Sequence, residues 1–405
     1  MKFFRYTFLM MGALLLSCNN DSEQEQANPV EEQINSVKSQ YAPDKRVALF
    51  DITSEKADDS FILRGETNNP EALKTLRVKL DSANIQFKDS VKVLPLDELK
   101  GITYGVIDVS VANLRGEGKH SAELVTQATL GTPVNILKRT EEWYYIQTPD
   151  GYLSWVDHGG ITTMNARDFQ IWKSSEKVIF TNAFGNSYSE PDTNSKPVTD
   201  LVAGAVLELE AESDDFYKVR YPDGRAGFVS KTESEIYRKW LNELNPNQED
   251  LVKVSEKLMG LPYLWGGTSA KGVDCSGFTK TIFFMNGMVV PRDASQQVRE
   301  GSLVDEKGDF NKLEVGDLLF FGRPATDSTS EKVVHVGMWI GNNEFIHASG
   351  DVHISSMDSK ADNFDEFNKS RYLRTKRYLG ASSDGLTYLK KKNIYISEIE
   401  EEAIQ

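Results

Sequence analysis

The sequence is poor in cysteine, histidine, positive charge and long apolar runs, and each shortage excludes something. Its 405 residues hold two cysteines, Cys18 and Cys275, so no disulfide framework supports the fold. Imidazole chemistry must come from His120, His158, His335, His347 or His353. These five are scattered and none sits in an HExxH helix, which argues against zinc; no metal and no cofactor is expected. Lys and Arg number 46 against 61 Asp and Glu, a net charge of −15. No Lys/Arg-rich face is evident, which excludes nucleic acid as a partner, because phosphate binding needs clustered cations. The apolar run Phe8 to Leu16 is too short to span a hydrocarbon core of ~30 Å, and no longer one follows. What remains is ample core material. Hydrophobic residues make up 39% and charged residues 26%, which excludes a wholly disordered chain. At ~100–200 residues per domain, the length allows two to four domains.

Residues 1–17 carry Lys2 and Arg5 ahead of the apolar run, the pattern of a secretory signal peptide. The run ends Leu15-Leu16-Ser17-Cys18 and resembles a bacterial lipobox. The resemblance implies that Cys18 is diacylated and that the protein is exported and held to a bacterial membrane by that anchor. Cys275 is then the single remaining thiol of an exported protein, a residue that calls for an explanation.

The rest divides by composition. Residues 18–43 are polar and acid-rich, and read as a tether. Residues 44–103 carry the strand-like RVALFDI and FILRGE, then a helical stretch opened by Asn69-Pro70-Glu71; this small α/β unit resembles a BON-like domain. Residues 104–165 and 174–234 are runs of short strands with frequent turns. The turn segment Asp150 to Val156 of the first recurs as Asp223 to Val229 in the second, and both stretches resemble bacterial SH3-like barrels. Residues 240–380 place helices before antiparallel strands, an α+β pattern. Residues 381–405 read as a solvated tail.

The chemistry gathers in the last unit. In Gly272-Val273-Asp274-Cys275-Ser276-Gly277-Phe278 a polar turn ends and an apolar helix begins at the thiol. A cysteine at a helix start gains thiolate stability from the macrodipole and free N–H groups. A thiol nucleophile also needs a base. His335 lies between valines in the strand VVHVGMW, and His347 follows in EFIHAS after the turn Gly341-Asn342-Asn343. Adjacent antiparallel strands set the two imidazoles side by side, so His347 can orient His335 and select its tautomer.

At this point the residues carry a resemblance. Leu261-Pro262-Tyr263-Leu264-Trp265-Gly266-Gly267, Asp274-Cys275-Ser276-Gly277-Phe278, Pro291-Arg292-Asp293, Gly316-Asp317-Leu318-Leu319-Phe320-Phe321 and His335-Val336-Gly337 together resemble an NlpC-type, papain-like cysteine peptidase. With SH3-like modules in front, the chain is similar to the gamma-D-glutamyl-L-diamino-acid endopeptidases, the dipeptidyl-peptidase VI group. The resemblance implies a multidomain α+β protein: a papain-like catalytic domain preceded by two SH3-like β-barrels and a small α/β domain. It implies Cys275 as nucleophile, His335 as base and His347 as orienting residue. It implies that Glu123 meets the substrate's free amine and that Tyr152 closes the pocket beside it. Asp274 is a second candidate carboxylate there. Ser276 and Arg292 are candidate donors to the D-Glu α-carboxylate. Tyr263 is a candidate oxyanion donor and Trp265 a candidate floor. Ala294 departs from the pattern, in which Ser often follows the Arg-Asp pair. His120, His158 and His353 receive no role.

The expected activity is hydrolysis of the gamma-D-glutamyl–diamino acid bond of murein peptides, favouring fragments with a free N-terminal L-Ala. The alternatives are an autolysin acting on intact peptidoglycan, a non-catalytic wall-binding lipoprotein, and a transferase relative of the same fold.

Overall fold

The computed structural model describes residues 28–397. The expected signal peptide and the lipidation site Cys18 lie outside the described residues.

The chain is already folded at Pro29. Asn28 caps the helix Pro29–Tyr41, its side chain accepting from the Val30 N–H, and proline stands in the first turn. Val30, Ile34 and Val37 recur at helical spacing and are buried against Leu73, Leu76 and Leu80 of the helix Pro70–Ser82 and against Phe50, Ile52 and Leu63. The tether expected over 18–43 is therefore, from Pro29 on, part of the first domain. Of its acidic side chains, Glu32 is exposed and Glu31 half-buried, while Val30, Ile34 and Val37 are buried. Strands Phe50–Ala57 and Ser60–Thr67 pair antiparallel, and Phe87–Val93 joins the second in parallel across the intervening helix.

Two seven-stranded antiparallel units follow. The first runs from Tyr104–Ile107 to Ile161–Met164 around Leu114, Ile136, Ile146 and Val156. The second runs from Lys177–Phe180 to Ser234–Ile236 around Val178, Phe180, Leu201, Val219 and Val229.

The last unit packs the helix Cys275–Met285 on a six-stranded antiparallel sheet. Phe278 and Ile282 of the helix meet Leu318 and Phe320, Val336 and Met338, and Ile346, so alternate strand residues face it. The strand Lys332–Gly341 pairs with Leu318–Arg323 along its length. It pairs with Glu344–Ser349 only from Met338 onward. That opening leaves the stretch around His335 free for the helix start. The expected solvated tail is a correction. Thr387–Tyr388 pairs with Met288–Val289, and Leu386, Leu389, Tyr395 and Ile396 are buried. The apolar residues among the charges of this segment find cores to enter. Among the described residues no helix is long and apolar enough to cross a membrane.

Candidate active site

Asp274 caps the helix Cys275–Met285, accepting from the Gly277 N–H at 2.7 Å. That cap sets Cys275 at the first helical position, buried. Hydrogen bonds from the backbone N–H groups of Val336 and Ser276 favour its thiolate, but burial first and the Asp274 charge second push the thiol up to about 12. The stabilisation that a helix start gives a thiolate is opposed here by burial and by the charge of the cap residue. The cap that builds the helix end also places a carboxylate beside the thiol.

The Val336 contact brings the thiol against the residue next to His335. Among the described residues no hydrogen bond joins the sulfur to the ring. His335 is buried, and its Nε2 lies 2.8 Å from His347 Nδ1. His347 Nε2 lies 3.1 Å from Ser355 Oγ. Burial, then His347, holds His335 well below the usual imidazole range. Burial, then His353, whose ring stacks edge-on at 4.5 Å, lowers His347 to about 3. Gly337 makes the pairing possible: a Cβ there would lie 3.1 Å from His347 Cβ and 2.7 Å from Phe345 Cδ2. The sequence offered no signal for Ser355, an ordinary serine in a polar strand.

Cys275 opens onto a cleft of about 960 Å³ that also takes in Glu123, Tyr152, Tyr263, Trp265 and Asp274. Glu123 and Trp265 belong to different domains and are joined by Trp265 Nε1 donating to Glu123 Oε1 at 2.7 Å. Both are exposed at the cleft mouth, so this end is walled but open to water. Gln127 fastens the same domains: its Oε1 accepts from Thr268 N at 3.0 Å and Ser269 Oγ at 2.9 Å. A Cβ on Gly266 would lie 2.3 Å from the Leu124 carbonyl, so glycine permits that approach. Tyr152 is buried and donates to Asp293 Oδ2 at 3.1 Å. Tyr263 is half-buried; burial, then the charges of Cys275 and Asp274, push its phenol up.

Asp274 and Arg292 answer each other. Arg292 Nη1 and Nη2 donate to Asp274 Oδ1 at 3.0 Å and Oδ2 at 2.5 Å, and Nη1 also reaches Ser276 Oγ at 3.0 Å. Two buried charges are stable only as a hydrogen-bonded pair. Asp274 is thus spent on the cap and on Arg292 rather than standing free for an amine. Of the guanidinium, only Nε is buried without a partner among the described residues. Ala294 and Ser295 both line the cleft, and the Ser295 hydroxyl accepts from Arg46 Nη1 at 2.9 Å. His120 and His158 are exposed in the first β unit. Among the described residues no group of His, Cys, Asp and Glu side chains is arranged to hold a metal.

Comparison with known proteins gives three matched stretches. Residues 260–367 match the NlpC/P60 family, residues 114–161 the bacterial dipeptidyl-peptidase Sh3 domain, and residues 185–234 the bacterial SH3 domain. A gamma-D-glutamyl-L-lysine dipeptidyl-peptidase of Bacillus cereus is 31% identical over 240 residues, covering 56% of this chain and 67% of that protein. A dipeptidyl-peptidase 6 of Lysinibacillus sphaericus is 26% identical over 272 residues, covering 63% of this chain and 92% of that protein. A crystal structure of an NlpC/P60 family protein from Bacillus cereus superposes with a TM-score of 0.58 at 26% identity, over 68% of this chain and all of that one.

Proposed function

The chain belongs to the NlpC/P60 family of cysteine peptidases, and on that premise we propose that it hydrolyses the gamma-D-glutamyl–diamino acid bond of murein peptides whose N-terminal L-Ala amine is free. The observation that carries this reading is the Glu123–Trp265 contact. It sets a carboxylate of the first SH3 domain into the wall of the cleft onto which Cys275 opens. An ammonium group is recognised there by charge-assisted hydrogen bonding. The Arg292 Nε, unpartnered among the described residues, is the donor offered to the D-Glu α-carboxylate, while the Ser276 hydroxyl is engaged with Asp274 Oδ1 at 3.3 Å.

The His335–His347–Ser355 relay supports a stepwise chemistry. His347 donates its Nε2–H to Ser355 Oγ and accepts the Nε2–H of His335 at Nδ1. His335 Nδ1 is then left as the base. It takes the thiol proton as sulfur attacks the γ-carbonyl carbon, so no free thiolate has to persist in the buried site. The oxyanion is held by backbone N–H at the helix start and by Tyr263. The imidazolium gives its proton to the departing amine, and water hydrolyses the thioester to free the dipeptide acid. Ser355 is a positioning residue in this scheme, acting through His347.

The test compares L-Ala-gamma-D-Glu-diaminopimelate with its N-acetylated form and with intact sacculi. The free peptide is cleaved at the γ-bond, and acetylation lowers kcat/KM by at least about tenfold. Equal rates on all three reject the amine pocket. The same proposal has the protein exported and anchored through Cys18. Labelling with a radioactive fatty acid is lost in Cys18→Ala, and label retained in that variant removes the anchor.

A further inference from the structure

The N-terminal domain, residues 28–100, lies outside all three stretches matched to known families. Yet it faces the cleft: Arg46, Phe50 and Asp51 line it together with Glu123, Tyr152 and Cys275. Arg46 is the point of contact. Its Nη1 donates to Asp293 Oδ2 at 2.8 Å and to Ser295 Oγ at 2.9 Å, two residues of the catalytic domain. Its Nε and Nη2 are held by Asp44 at 2.8 and 2.6 Å. Asp44 is braced in turn by Gln296 Nε2 at 3.0 Å. The backbone is pinned as well, for Leu153 N donates to the Arg46 carbonyl at 2.7 Å. Burial would raise the Asp44 carboxyl, but the hydrogen bonds from Arg46 hold it at about 2.

Three domains therefore converge on one oxygen. Asp293 Oδ2 accepts from Arg46 of the first domain and from Tyr152 of the first SH3 domain. Tyr152 can keep its place in the cleft only while Asp293 is oriented to accept from it. The guanidinium supplies that orientation and offsets the carboxylate charge, and its planar fork lets one side chain grip Asp44 and Asp293 together. We propose that the N-terminal domain is a working wall of the substrate site, and that Arg46 is a positioning residue which sets affinity for the amine-bearing end of the peptide through Asp293 and Tyr152. This rests on the reading of the cleft as a site for free-amine gamma-D-glutamyl peptides. It adds the domain that the reading leaves without a task.

The test uses the full chain and two readouts. One is kcat and KM on L-Ala-gamma-D-Glu-diaminopimelate. The other is calorimetric affinity for the product L-Ala-gamma-D-Glu in a Cys275→Ala background, which needs no turnover. Arg46→Ala raises KM and weakens dipeptide binding about tenfold, with kcat within about twofold, as expected for loss of one charged hydrogen bond acting at one remove. Arg46→Lys restores part of the affinity, since a lysine reaches Asp293 without the fork. Arg64→Ala, which removes an exposed ion pair with Glu55 on the same domain, changes neither readout. Unchanged dipeptide affinity in Arg46→Ala overturns the proposal, as does a fall in kcat at constant KM. A chain that binds the dipeptide but hydrolyses no murein peptide would sink the proposed function, while the affinity ratio of the Arg46 variants still decides this one.

Discussion

The two SH3 domains share an architecture and a turn, and they use that turn differently. In the first, Asp150 of the turn reaches out of its own domain and pairs with Lys280 on the catalytic helix at 2.7 Å, both side chains largely buried. Two residues on, Tyr152 enters the cleft. In the second, Asp223 pairs at 2.5 Å with Arg225 inside its own turn, both well exposed. Arg225 then stacks on Tyr221 and donates to the Asp108 carbonyl of the first SH3 domain at 2.8 Å. No residue of the second domain lines the cleft around Cys275. A duplicated scaffold thus lines the cleft with one copy and uses the same turn of the other for a docking contact. Both copies touch the catalytic helix, the second through Val202 and Gly204; what decides is that only the first directs its turn there, with Asp150 on Lys280 and Tyr152 in the cleft beside Cys275.

Substitutions sharpen this contrast. Cys275→Ala sets the floor: hydrolysis falls by at least about 10⁴-fold with the fold intact, read by single-turnover kinetics. Against that floor, Asp150→Asn is the most damaging change in either turn. It leaves Lys280 buried without its counter-charge and costs about 3–5 kcal/mol of stability in denaturant unfolding. The contact is also pH-dependent. Burial would raise the Asp150 carboxyl, but Lys280 draws it below the ordinary 3.8. A folded-state pKa below the unfolded one gives stability that is present above 3.8 and lost as pH falls through the folded value. Acid unfolding of the Asn variant should lack that component.

Glu123→Gln comes next, with kcat/KM on free-amine peptides down by roughly tenfold to hundredfold and acetylated peptides unaffected. A parallel loss on both would show that Glu123 only shapes the wall. Ser355→Ala lowers kcat about tenfold with KM unchanged, and Ser355→Thr restores most of it, because the hydroxyl fixes the His347 tautomer. Arg225→Ala is the smallest, about 0.5–1 kcal/mol of stability with kcat/KM within twofold. A large kinetic effect there would break the division of labour between the two domains.

Much of the site could be read locally. The cap residue Asp274, the thiol behind it and the glycine after Ser276 announce a helix start. The apolar alternation around His335 and His347 announces two strands of one hairpin. Those signals span a few residues each, so short-range patterning contains them. Glu123 and Tyr152 are ordinary in composition and came into view only through likeness to a known family. The helix Pro29–Tyr41 had its cap and its Val30–Ile34–Val37 spacing in plain sight. Acid-rich composition is a weaker guide than such a pattern, because buried area depends on where the few apolar residues fall.

From its sequence alone this protein had its thiol at a helix start, its paired imidazoles and the order of its domains determined, since each follows from neighbours along the chain. The burial of the thiol beside Asp274, the Arg292–Asp274 pairing, the Ser355 end of the relay and the arrival of Arg46 at Asp293 were decided by tertiary structure. Charge and burial at a site sum over every group packed around it. For Asp293 those groups come from positions 46, 152 and 296, and no local pattern relates them.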